Sequence, residues 1–112
     1  MNIHSIAILL ALSSCNAFGI TIDEYNKRKT EKEISSYDQV YVTGIGIGFF
    51  WANVELGTNK KPLLYCQPPE LKLGMQNYLE ILDDEAKKAP HTGESEIELT
   101  LLMGLQRVFP CN

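Results

Sequence analysis

The strongest constraint on this chain is the pair Cys66 and Cys111. Between them lie two stretches with the apolar spacing of amphipathic helices, joined by a charged loop that contains Pro90. A bond between the two sulfurs would close that stretch into one helical hairpin and give the upstream segments a fixed platform. In the chain-entropy view a closed loop of this length adds roughly 4 kcal/mol, a large share of what one small domain holds. Two buried free thiols are the alternative.

Which of the two applies depends on where the chain is delivered. Residues 1–17 carry no charged side chain apart from His4, and Ile6 to Leu12 form an apolar run followed by small residues. That is the pattern of a secretory leader, and the run is too short to remain as a membrane span. Cys15-Asn16-Ala17 fits small-x-small cleavage after Ala17, and Ala17-Phe18-Gly19 would serve as well. Leu12-Ser13-Ser14-Cys15 instead reads as a lipobox, which would leave Cys15 as a lipidated first residue and give the one route to a membrane. Ordinary cleavage makes residues 1–17 a signal peptide and 18–112 a single domain. It removes Cys15 and leaves an even pair of cysteines in an oxidising compartment.

Charge narrows the choice of partner. The 112 residues hold 10 Lys plus Arg against 14 Asp plus Glu, a net charge of -4, with every one of these residues beyond position 17. Nucleic-acid binding calls for a basic face, so a cationic protein surface fits this balance better. With no CxxC and only His91 left after export, no metal site is expected. No nucleophile stands beside a base, so no enzyme is expected either. Gly44-x-Gly46-x-Gly48 brings its third glycine one residue too early for a dinucleotide loop, and no cofactor is expected. The simpler reading is that Gly44 and Gly48 share a helical face and admit a neighbouring backbone, with Phe49, Phe50 and Trp51 in the core.

Thr21-Ile22-Asp23-Glu24 has the spacing of a capping box and predicts a helix over 21–33, held by Ile22 and Tyr25. From Tyr37 to Val54 the composition is that of a strand, yet Ser35 and Ser36 offer a helix start, and periodicity leaves both open. Pro68-Pro69 suit the opening of a helix whose stripe is Leu71, Met75, Tyr78 and Leu82. Asp83 to His91 interrupts that stripe with charge and a proline. Thr92 then caps a last helix with Ile97, Leu101, Leu105 and Val108 or Phe109 inward, ended by Pro110.

The order Tyr41-x-x-Gly44, Tyr65-Cys66-x-Pro68, Gln76-x-Tyr78-Leu79, an acidic-to-basic loop, and Leu102-x-x-Leu105-Gln106-x-x-Phe109-Pro110-Cys111 resembles the Rap/Tai family of type VI secretion immunity proteins. The resemblance spans about residues 37–111. It implies an all-α periplasmic domain of approximately four helices, closed by one disulfide between Cys66 and Cys111 and often a homodimer. It further implies a protein that binds a secreted peptidoglycan amidase and occludes its Cys/His active site. In the Tai branch the loop before the last helix enters the enzyme's cleft. Here that makes Asp83, Asp84, Glu85, Lys87, Lys88, Pro90 and His91 the expected partner-binding residues. A different class of function, a periplasmic acid-stress chaperone that exposes apolar surface when its carboxylates titrate, fits the same size and charge.

Overall fold

The computed structural model describes residues 19–112 and consists there of four helices, with no strand among the described residues: α1 Ile22–Arg28, α2 Lys32–Thr58, α3 Met75–Ala86 and α4 Ile97–Val108. The expected leader and the Cys15 alternative lie outside the described residues. The all-α class and the Cys66–Cys111 disulfide are as expected, with Sγ–Sγ 2.01 Å and Cα–Cα 5.0 Å.

The capping box holds at the atomic level. Thr21 Oγ1 accepts from the Glu24 amide at 3.2 Å, and Glu24 Oε2 accepts from the Thr21 amide at 3.0 Å. Ile22 and Tyr25 are buried. The helix stops at Arg28, five residues short of the expected end. Thr30 turns its hydroxyl onto the Lys27 carbonyl at 3.0 Å, and Glu31 is extended, so the chain bends before α2 begins. Across the bend Arg28 reaches back to the buried Asp38 at 2.9 Å.

The ambiguous 37–54 stretch is helix, part of a single 27-residue element. Strand propensity loses because packing against α3 and α4 outweighs a scale spanning only ~1 kcal/mol per residue. Its inward face carries Asp38, Val42, Gly46 and Asn53. The close approach occurs at Gly46 and not at Gly44 or Gly48: a methyl group at position 46 would run into the Tyr78 ring, whereas nothing lies within 4 Å of a methyl at 44 or 48.

The third helix begins at Gly74, where Asn77 Oδ1 accepts from the Gly74 amide at 2.8 Å, and not at Pro68-Pro69. Residues 68–71 form a turn closed by Leu71 N to Pro68 O at 3.1 Å. Leu71 and Met75 consequently stay exposed, and only Tyr78 and Leu82 of the expected stripe are buried. On α4, Ile97, Leu101 and Leu105 are buried as expected, Val108 is exposed and Phe109 packs at the core's edge. The cap expected at Thr92 falls short, because the helix starts only after Glu96. α3 and α4 form the most extensive helix pair. Gly104 permits it, since a methyl there would lie 2.8 Å from Ile81 Cγ2 and 3.1 Å from Glu85 Cβ.

Two irregular segments tie the ends down. Asn53, buried on α2, donates to Tyr65 O at 2.8 Å and accepts from the Leu64 amide at 2.7 Å. Cys66 N donates to Phe109 O at 2.8 Å beside the disulfide. At the other end, Ile20 to Asp23 runs antiparallel to residues 93–97, with Ile22 N to Ser95 O and Ile97 N to Ile20 O both at 2.8 Å.

Candidate functional site

The segment Asp83–His91 is not one loop. Asp83, Asp84 and Glu85 belong to the last turn of α3, and the irregular connection begins after Ala86. Asp83 is held by Lys29 Nζ at 2.9 Å. Asp84, Lys87, Lys88 and Pro90 are exposed, and Ala89–Pro90 is a cis peptide. The structure therefore brings these four to the surface together.

Glu85 and His91 turn the other way. Glu85 is only 1% exposed, and its carboxylate takes a fork from Arg107, Nε to Oε2 at 2.7 Å and Nη2 to Oε1 at 3.0 Å. His91 Nε2 lies 3.0 Å from the same Oε1, which places the ring proton on Nε2. The Arg107 hydrogen bond holds the Glu85 carboxyl below its ordinary value, ahead of the opposing effect of burial, and His91 adds to the lowering. As partner-contacting groups these two are corrected: they anchor the connection to α4 from inside, which stiffens the exposed residues beside them.

A larger feature sits on α2. Tyr37, Val40, Tyr41, Gly44, Ile47, Gly48, Trp51 and Val54 recur at steps of three and four and are all exposed. Opposite them lies the inward face of Asp38, Val42, Gly46 and Asn53, so the helix is apolar on both sides. Tyr37 is 70%, Val40 63% and Trp51 62% exposed, against the expectation that Trp51 belongs to the core. Phe50 is also partly exposed, edge-on to Trp51 at 5.4 Å, and only Phe49 of that aromatic trio packs inward. No charged residue occurs from Gln39 to Val54, and yet no described helix is long and apolar enough to cross a membrane.

Scaled by their fractional exposure, these side chains present on the order of 700 Å², close to the ~800 Å² that each partner gives to a standard interface. The stripe runs for about 26 Å at the helical rise per residue. Its flank continues into a cavity of about 360 Å³ whose walls include Ile47, Phe50, Trp51, Leu71 and Tyr78. Contiguous apolar faces of that size are characteristic of interaction surfaces. Its signal in the sequence was the second set of three- and four-residue steps, offset by half a turn from the set that faces the core.

No family model matches the chain, no curated protein matches it, and no solved structure matches it.

Proposed function

We propose that the protein works by occupying a surface of another protein, as a periplasmic immunity protein that binds a secreted peptidoglycan amidase and covers its active site. The observation that carries the binding role is the uncharged α2 face, an exposed apolar stripe on a disulfide-closed scaffold. Its order of motifs supports the choice of partner, as set out from the sequence.

The two surfaces divide the work. The α2 stripe pairs two copies of the chain. Its two small residues, Gly44 and Gly48, stand near the midpoint of Tyr37 to Val54, so a two-fold axis between them would set Tyr37 and Tyr41 of one copy against Trp51 and Val54 of the other. The glycines would then admit a neighbouring backbone that belongs to a second chain. The exposed Asp84, Lys87, Lys88 and Pro90 face the enzyme, held in place by Glu85 and His91 behind them.

The test is affinity of the oxidised protein for a cysteine-type peptidoglycan amidase, measured by calorimetry and by loss of enzyme activity. Replacing Asp84, Lys87 and Lys88 together by glycine should weaken binding by several kcal/mol if they reach the cleft. An unchanged Kd would remove this segment from the interface. The chaperone reading draws on the same apolar stripe. It predicts dye binding and suppression of aggregation near pH 2 to 3, with no amidase affinity at neutral pH.

A further inference from the structure

Glu98, in the first turn of α4, sits against the start of the described chain with an unusual set of neighbours. Its Oε1 accepts from the Ile20 amide at 3.1 Å and from the Tyr41 hydroxyl at 2.6 Å. That hydrogen bond to Glu98 pushes the Tyr41 phenol up to about 12, so it stays a donor. The second oxygen, Oε2, is buried and has no partner among the described residues. No cationic side chain among the described residues pairs with Glu98. A carboxylate oxygen out of water with no donor and no countercharge is costly.

Gly19 covers this carboxylate. A methyl group at position 19 would lie 2.6 Å from its Cδ and Oε1, so a side chain there would push the carboxylate aside. Yet Ala17-Phe18-Gly19 is also a small-x-small cleavage sequence, with Gly19 immediately before the cut.

We infer that the leader is cut between Gly19 and Ile20, and that the new amino group of Ile20 forms a half-buried ion pair with Glu98. The inference rests on the export reading above. In the cut, a leader peptidase adds water across the Gly19–Ile20 amide. The C–N bond breaks, Gly19 departs with the leader as a carboxylate, and Ile20 keeps the nitrogen, which takes up a proton as an ammonium. The group already at 3.1 Å from Oε1 thereby changes from one amide donor into a cation with three donors, enough to serve both carboxylate oxygens. Departure of Gly19 opens the space beside Oε2 that this requires. The cut precedes folding, because in the folded chain Gly19 lies against Glu98 and Ile20, Ile22 and Asp23 are bonded to residues 93–97.

The full chain, made with its own leader in a bacterium and recovered from the exported fraction, should have the intact mass of residues 20–112 with its disulfide and should read Ile20-Thr21-Ile22 on sequencing. A first residue of Phe18, or a lipidated Cys15, overturns the assignment while leaving export standing. An uncut chain retained in the cytoplasm overturns the export reading beneath it. The ion pair is read separately on the exported product, by the rate at which acetic anhydride at neutral pH acylates the α-amine. The native wild type should react at least about tenfold more slowly than the same chain in urea, since holding the amine protonated by one further pKa unit removes nine-tenths of its nucleophile. It should also react slower than native Glu98→Gln by a similar factor. Equal rates in the folded and unfolded wild type overturn the pair without reference to any variant.

Discussion

At the scale of single residues, Glu85 is the group whose chemistry extends furthest. Its carboxyl is held below the ordinary value of 4.5, so its contribution to stability is fully present above that pH. The contribution is lost as pH falls through the depressed folded-state value. Glu85→Gln should therefore lower the melting temperature by a few degrees at pH 7 and flatten the acid limb of the stability curve below about pH 4.5, as followed by circular dichroism. Gly46→Ala should cost about 1–3 kcal/mol, because the Tyr78 ring and α2 must move apart. Gly44→Ala and Gly48→Ala, with open space at the same position, should each raise the stability of the single chain by about 1 kcal/mol in urea titrations, while weakening its self-association. The capping box at Thr21 was readable because both partners lie within one helical turn. The Glu85 cluster was not, because Arg107 comes from another helix and nothing in the local spacing announces it.

At the scale of elements, the connection between α2 and α3 is held by bonds to both of its neighbours. Asn53 satisfies the backbone at Leu64 and Tyr65 from one side, and Gln106 on α4 donates to Leu64 O at 3.2 Å from the other. Asn53→Ala leaves a half-buried amide and a buried carbonyl without these partners and should cost about 2 kcal/mol by urea denaturation, with an unchanged m-value. Removing the disulfide by Cys111→Ser should cost roughly 4 kcal/mol, since the unfolded chain regains the freedom of the closed loop. The two C-terminal helices were readable from period alone, since Tyr78, Leu82, Ile97, Leu101 and Leu105 are one-sided stripes. α2 was not, because a helix apolar on two faces has no single period to detect, and its β-branched and glycine content points to strand. The start of α3 was misplaced for a local reason: Pro68-Pro69 suit a helix opening, but the chain uses them for a turn.

At the scale of the whole molecule, the proposed pairing of two copies rests on the apolar face of α2. Trp51→Asp puts a charge in the middle of the stripe, 62% exposed and away from the core. It should leave the melting temperature of the single chain within a few degrees while shifting sedimentation from dimer to monomer. An unchanged sedimentation profile would exclude this face as the contact between copies. That a surface of this kind escaped the sequence reading has a physical cause: an apolar side chain selected to meet another protein is chemically the same as one selected to meet its own core. Only the placement of Val42 and Asn53 inward fixes Tyr41 and Trp51 as outward.

The antiparallel contact between Ile20–Asp23 and residues 93–97 joins the first described residues to the segment that leads into the last helix. During synthesis the leading segment leaves the ribosome long before its partner has been made, and the sulfur of Cys66 likewise waits for Cys111. Neither closure can form before its second half has been made. α1 consequently has no seat while residues 93–97 are absent, and a truncation that removes residues 93–112 should leave it undocked.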